Sequence, residues 1–344
     1  MSHVPGEAMN LNDLSAAKSE TLLLSRGDVE RLLTADACIA AVEDAFRQHA
    51  QGKAPPSGIL GLHGDEGSFH VKAGLLVADR PYFAAKVNAN FPQNGPRHGL
   101  PTIQGAVILF DAANGKPLAV MDSIAITALR TAAASAVAVK YLAAESCDTA
   151  LICGCGGQAP AQLRALLRVR RPRRVYAYDQ DAKKAVAFAA AASRELAIAV
   201  TAVLDLAQAV AASGIVITCT TARRYFITRE MVRPGTFIAA VGADNENKQE
   251  IDPRLLADAT VVTDLTEQAC AIGDLHHAIV AATMSRDAVH AELGEIVTGS
   301  KRGRASAQEI IVFDSTGTGL QDVAAAIAAY RQGVIEKAGS NFIL

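Results

Sequence analysis

The segment Gly154-Cys155-Gly156-Gly157-Gln158-Ala159 constrains this chain more than any other. It follows the apolar run ALIC directly and opens into QAPAQLRALLRV, whose apolar residues recur at helical spacing. Position by position it fits G-x-G-x-x-A. Gly154 permits a tight turn, Gly156 lets the backbone approach a pyrophosphate, and Ala159 lets the helix pack closely on the strand, leaving the helix N-terminus facing the phosphates. The next strand, RVYAY, ends at Asp179. A carboxylate there accepts hydrogen bonds from both ribose hydroxyls of NAD and repels the 2′-phosphate of NADP. The expected cofactor is therefore NAD, with NADP left open by the nearby Lys183 and Lys184. The alternative is that Asp179 merely caps the helix that starts near Asp181.

Around this loop the texture is regular. TALICG, RVYAYD, GIVITCT, TFIAAVG, ATVVTD and EIIVFD read as short buried strands, with helices such as AKKAVAFAAAASREL between them. Such alternation predicts a Rossmann-type doubly wound parallel sheet. From Pro55 to Asp122 the texture is different: SFHVKAGLLV, YFAAKVNANF and GAVILFDAANGKPLAVMD are apolar runs broken by turn residues, with a hairpin expected at Asn114-Gly115. This region predicts an antiparallel sheet, making the second unit α+β and the whole chain α/β. Before it, TLLLS reads as a strand, and Ser25 with Asp28 has the spacing of a capping box. A helix is expected from about Asp36 to His49. The expected division is a disordered leader over 1–20, one domain from 21–128 plus 318–344, and a nucleotide domain over 129–317.

Composition narrows the function. The chain has 344 residues, enough for two cores, and 33 Lys+Arg against 35 Asp+Glu with no block of one sign. Neither nucleic acid nor an anionic membrane is expected as a partner. Only Cys153 and Cys155 of the six cysteines are close, and their spacing suits neither a zinc site nor a disulfide framework, so no metal is expected. Uninterrupted apolar runs such as Ala185 to Ala192 fall short of the ~18 residues of a spanning helix. These readings together predict a soluble, cytoplasmic protein.

A nicotinamide enzyme needs an anchor for its substrate and a proton donor or acceptor beside the hydride path. Isolated ions in apolar segments are the candidates. Lys86 in YFAAKVNANF either grips a carboxylate or polarises an imine, or else is a surface lysine on a half-exposed strand. Arg130, set among alanines, either clamps a carboxylate through its planar fork or belongs to a solvated helix face. Asp244 follows FIAAVGA at the C-terminal edge of the expected parallel sheet, where it can shuttle a proton or simply cap a turn. Thr218 to Thr221 can bond a cofactor or end a strand. His276-His277, adjacent and without acidic or thiol partners at ligand spacing, read as structural.

Several segments together resemble the ornithine cyclodeaminase and mu-crystallin family: KVNANFPQN with GLPTIQG, ITALRTAAASAVA, GCGGQA, VGAD followed by NKQEID, and FDSTGTGLQD. The resemblance implies a homodimer built from a substrate-binding and dimerisation domain and a Rossmann domain for NAD(P)H. It implies that Lys86 and Arg130 hold the substrate carboxylate, with Thr316 near the substrate and Asp244 as acid/base, so that Asp244 and Lys86 are the catalytic candidates. Thr102, Arg130, Thr131, Gly154, Gly156, Gly157, Gln158, Asp179, Thr220, Val241, Lys248 and Ser315 would touch the dinucleotide.

The chain also departs from the family pattern. Many members carry a carboxylate-binding arginine where this chain has Pro55-Pro56-Ser57-Gly58-Ile59-Leu60. Where ornithine-using members place an acid for the distal ammonium, this chain has His70-Val71-Lys72-Ala73. Lys72 would repel that ammonium and attract a carboxylate, in place of the missing arginine. The resulting expectation is hydride transfer at the α-carbon of a small 2-imino or 2-amino acid, with a dicarboxylic substrate possible. The alternatives are ornithine cyclodeamination with catalytic NAD and a non-catalytic, crystallin-like NAD(P)H-binding protein.

Overall fold

The computed structural model describes residues 20–55 and 57–343, so the expectation of a disordered leader over 1–20 falls almost wholly outside the described residues. Two sheets dominate. The first has the order β17-β1-β6-β5-β4-β3-β2. Its strands are β1 (Glu20–Leu24), β2 (Gly58–His63), β3 (Ser68–Val77), β4 (Pro81–Asn90), β5 (Ile103–Asp111), β6 (Pro117–Asp122) and the C-terminal β17 (Ser340–Ile343). All neighbours are antiparallel except β1 and β6, which run parallel because α1 (Arg26–Leu32) and α2 (Ala35–Ala50) lead the chain away before it returns. The β5–β6 connection is longer than a two-residue hairpin. Gly115 at φ 76° closes it, and Asn114 Oδ1 accepts from Lys116 N. The short helix α3 (Asn94–His98) joins β4 to β5.

The second sheet is parallel throughout, ordered β15-β14-β16-β12-β10-β7-β8-β9. Its central strands are β7 (Thr149–Cys153), β10 (Ile215–Thr218), β12 (Phe237–Ala240), β14 (Thr260–Thr263) and β16 (Ile311–Asp314), all almost wholly buried. Helices cover both faces, so these strands read as continuous apolar runs. Toward one edge lie β8 (Arg174–Tyr178) and β9 (Val200–Ala202), toward the other the two-residue β15 (Ala291–Glu292), and a separate parallel pair is formed by β11 (Arg223–Ile227) and β13 (Gln249–Ile251). The connecting helices are α5 (Ala159–Val169), α6 (Ala182–Leu196), α7 (Leu206–Ala212), α8 (Pro253–Asp258), α9 (Thr266–Ile272), α10 (Asp274–Val280) and α11 (Leu293–Thr298).

Two long helices join the halves. α4 (Ser123–Leu142) starts where β6 ends, with Asp122 capping Ala125 N at 2.8 Å, and packs against α2, α5 and α12 (Gly319–Glu336). Its alanines allow these close approaches on several sides. By length and composition α4 would cross a membrane, contrary to the expectation from uninterrupted runs. Within the protein, 72% of its apolar window is buried, so it is a core helix. α12 lies on the inner face of β3 and β4, and Gly319 is required there: a Cβ would stand 2.3 Å from Ala73 O. At the start of the chain, the capping box of α1 forms in both directions between Ser25 and Asp28.

Candidate active site

The turn after β7 has the features of a dinucleotide cradle. Gly154 adopts φ 93°, and a Cβ there would lie 2.8 Å from Thr220 Cγ2 and 2.9 Å from Cys219 O. Any side chain would thus meet both strain and collision. At Gly156 and Gly157 the opposite holds: an added Cβ meets nothing within 4 Å, so the backbone presents an open face. Ala159 is buried against the sheet, and α5 begins without a side-chain cap, leaving its first amides to an outside acceptor. Gln158 Oε1 is buried and has no partner among the described residues. Asp179 closes the cradle, accepting from Cys155 N at 2.8 Å and Asp181 N at 2.9 Å. It does not cap α6, because Asp181 does so through Lys183 N. These residues fit a dinucleotide.

Facing the parallel sheet, the other half carries a buried cluster of charge. Lys72 on β3 stands directly opposite Lys86 on β4, and both point toward α12. Lys86 Nζ lies 2.9 Å and 2.8 Å from the two carboxylate oxygens of Asp322. Arg130 Nε donates to Asp322 Oδ1 at 3.0 Å and Nη1 to Gln321 Oε1 at 2.9 Å. Lys72 Nζ donates to the carbonyls of Thr316 (2.9 Å) and Gly317 (2.6 Å). Gly317, at φ 72°, lies so close under the guanidinium that a Cβ would be 2.3 Å from Arg130 Nη1. The readings of Lys86 as a surface lysine and of Arg130 as a solvated helix face are therefore overturned: the two are 3% and 5% exposed.

Lys86 and Arg130 share the Asp322 carboxylate, and Lys72 lies near enough to act on it. Burial pushes Lys86 down to about 7; Arg130 and Lys72 push the same way, and Asp322 opposes them. Burial and Arg130 likewise lower Lys72. For Asp322 burial acts upward, but Lys86, Arg130 and Lys72 together hold the carboxyl below its ordinary range. Lys86 and Arg130 meet in Asp322, while Asp264, which accepts from Thr316 Oγ1 and Gly317 N, is a second carboxylate near Lys72.

Asp244 stands four residues past the end of β12, half exposed, with Lys248 Nζ 2.6 Å from Oδ1. Burial acts upward on its carboxyl, yet Lys248, Lys72 and Arg130 outweigh it and hold the group below the usual carboxylate range. Burial lowers His70, with Asp244 opposing it. Asp244 thus lies within electrostatic reach of Lys72, Arg130 and His70. A cavity of about 310 Å³ lies between the β2–β3 turn and the turn after Asp244, lined by His63, Ser68, His70, Asn90, Arg223 and Lys248 among others.

The remaining residues named from sequence are placed as follows. Thr220 directs its hydroxyl to Glu250 at 2.7 Å, and Ser315 and Thr316 direct theirs to Asp264 at 3.4 and 2.9 Å. The Lys248 ammonium is held by Asp244, and Lys72 has two of its three donors on carbonyls. These side chains are committed within the protein, and so are the N–H groups of Thr220 (to Glu250 Oε1), Ser315 (to Ala240 O) and Lys248 (to Asn245 O). Val241 and Thr131 are buried, and Thr102 is exposed on the β4–β5 connection. His276 and His277 bond to the carbonyls of Cys270 and Lys248. Sequence reasoning missed Asp322, Gln321, Asp264 and Glu250. Asp322 reads locally as a favourable acid in the first turn of α12, and its basic partners lie 192 and 236 positions away.

Residues 19–336 match the profile of the ornithine cyclodeaminase/mu-crystallin family. The chain belongs to that family. Over 322 residues it is 38% identical to an alanine dehydrogenase of Archaeoglobus fulgidus, covering 94% of this chain and 98% of the relative. An archaeal alanine dehydrogenase dimer solved with bound NAD superposes with a TM-score of 0.89 at 37% identity, covering 94% of this chain and 99% of that one. The iminosuccinate reductase of Paracoccus denitrificans, solved with NAD+, superposes with a TM-score of 0.87 at 31% identity, covering 94% and 100%. Across the ornithine cyclodeaminase/mu-crystallin family, then, this chain lies near members whose names denote amino-acid oxidation or imine reduction.

Proposed function

We propose that this chain is an NAD(H)-dependent oxidoreductase acting at the α-carbon of a small 2-imino or 2-amino acid. What supports the reading is the buried Lys86–Asp322–Arg130 cluster, with Asp244 within electrostatic reach of Lys72 and Arg130, together with the open glycine turn. When bound, NADH supplies a hydride from its nicotinamide ring. Arg130, whose Nη2 has no protein acceptor among the described residues, and Lys86 hold the substrate carboxylate. Asp322 keeps both cations in place while it tempers their charge. Asp244, ionised at neutral pH, pairs with the protonated imine nitrogen and keeps the α-carbon electrophilic. In the oxidative direction it takes the proton that the ammonium must lose first.

Lys72 and His70 occupy the inner face of β3 next to this site, where a distal ammonium would be repelled and a second carboxylate welcomed. This favours a small or dicarboxylic substrate over ornithine. The test is NADH oxidation with a panel of 2-oxo acids plus ammonia or methylamine, run beside ornithine with catalytic NAD. Turnover of the oxo acids with amine is the expected result, and proline formed from ornithine alone would overturn the reading. A second expectation concerns pH. Lys86 binds a carboxylate only when protonated, so KM for the imino acid should rise above pH 7, by up to ~10-fold per unit, while KM for NADH stays flat. The Lys86→Arg variant should lose that rise.

The outer face of the first sheet supports a dimer. Leu60, Leu62, Phe69 and Val87 are 53%, 59%, 48% and 40% exposed, and the register of β2, β3 and β4 places them on one side, opposite Lys86. An apolar sheet face of this kind calls for a partner, and we propose a second copy of the chain. Replacing Leu62 and Phe69 together by Asp should convert a dimer to a monomer by light scattering; an unchanged mass would place the interface elsewhere. The six cysteines are unpaired, which suits the reducing cytoplasm we propose as its location.

A further inference from the structure

We propose that Glu250 is a positioning residue that latches the Asp244 turn to the dinucleotide turn. The inference rests on the reading of Asp244 given above. Glu250 lies in β13, is completely buried, and has no basic partner among the described residues. Its two oxygens take four short bonds from two different strand ends. Oε1 accepts from Thr220 N and Oγ1, both at 2.7 Å, while Oε2 accepts from Thr218 Oγ1 at 2.6 Å and Gly242 N at 2.8 Å. Thr218 ends β10 and Thr220 follows it, and Gly242 follows β12, the neighbouring strand. The carboxylate therefore bridges two C-terminal strand ends, where a parallel sheet places its ligand.

Each side of the bridge leads to functional backbone. On one side the Thr220 methyl is the atom a Cβ at Gly154 would strike, so Thr220 backs the glycine turn. On the other, Asp244 N donates to Gly242 O at 3.1 Å, tying the proposed acid/base to the residue Glu250 holds. Gly242 can have no side chain, because a Cβ would lie 2.4 Å from Glu250 Oε1. Glu250 is itself braced from behind, its N–H donating to Asp274 Oδ1 at 2.7 Å. Burying an acid with no cation beside it is costly, and four donors are what stabilise it.

The chemistry of the latch makes a specific demand. Hydroxyls can turn and become acceptors, but the amides of Thr220 and Gly242 can only donate. A glutamine at 250 must set its NH2 against one of them, whichever way its amide lies. One strand end is then released.

The experiment compares Glu250→Gln and Glu250→Asp with Asp244→Asn in the full-length enzyme, counting sites by NADH fluorescence titration and expressing turnover per NADH-binding site. Glu250→Asp keeps the charge but withdraws it by one methylene, so the four bonds cannot all be made. It serves as the test if the glutamine variant fails to fold. The expected result is a fall of ~10- to 100-fold in turnover per site for the Glu250 variants. The acid limb of the pH–rate profile should also shift upward as Asp244 moves away from Lys248. A merely structural glutamate would lower the melting temperature and the number of sites but leave turnover per site and the pH limb unchanged, and that outcome overturns the proposal. If Asp244→Asn itself retains turnover, the reading of Asp244 fails first. If Asp244→Asn is inactive while both Glu250 variants match the wild type per site, the latch alone fails.

Discussion

Asp244→Asn should lower turnover by ~10²- to 10⁴-fold while leaving NADH binding within about twofold, the range that loss of a positioned proton acceptor gives. The asparagine is nearly isosteric and keeps the turn, since Asp244 is half exposed and makes one short side-chain ion pair, to Lys248. What it removes is the negative charge that faces Lys72 and Arg130 across the cleft. Without it a protonated imine nitrogen meets only cations, and an ammonium has nowhere to leave its proton. Stopped-flow reduction with saturating NADH and imino acid checks this, with fluorescence quenching as the binding control. Full turnover in the variant would remove Asp244 from the chemistry, whereas NADH binding without turnover in the wild type would make a crystallin-like binding protein the better reading.

Asp322→Asn should be the most destabilising single change in the site. It leaves Lys86 and Arg130 buried without the carboxylate that contacts both, and breaking a buried pair in this way costs ~3–5 kcal/mol. The effect also has a direction with pH. The folded protein holds Lys86 near 7, below its ordinary value of 10.5, so between those values the unfolded chain binds more protons and stability rises with pH. Removing Asp322 lowers Lys86 further, and a neutral Lys86 needs no counter-ion. The loss measured by urea unfolding should accordingly be larger at pH 6 than at pH 9. A midpoint unchanged at both values would mean that the cations find another partner.

The sequence announces the parallel sheet and the glycine turn because their determinants are local. The strands β7, β10, β12 and β16 are apolar on both faces, and the residues from Gly154 to Ala159 sit contiguously at one strand-to-helix junction. Lys86 and Arg130 stand out for a related reason: a charge within an apolar segment is visible without knowing what it faces. Asp322 and Glu250 are hidden by their own neighbourhoods. Asp322 looks like ordinary helix-start chemistry and Glu250 like one more polar residue in NKQEID, and only the crossing of α12 over β3 and β4, or of β13 behind β10 and β12, gives them their partners. Lys72 shows the limit from the other side. Its charge suggests a free anchor, but two of its donors brace the loop at Thr316 and Gly317 and at most one is left for a substrate. The character of α4 is also nonlocal, since its hydropathy matches a membrane span while its burial comes from packing against α2, α5 and α12.

Hydride delivery to the α-carbon is the claim on which the rest of the account depends, and isotope transfer tests it most directly. NADH carrying deuterium at the transferable position of its nicotinamide ring is incubated with the enzyme, a small 2-oxo acid and ammonia, and the amino acid product is analysed by mass spectrometry and NMR. The account predicts one deuterium per product molecule, located at the α-carbon, with Asp244→Asn forming the same labelled product in a far smaller amount under the same conditions. Amino acid formed without label at that carbon, or no amino acid from any oxo acid while NADH stays bound, would contradict it.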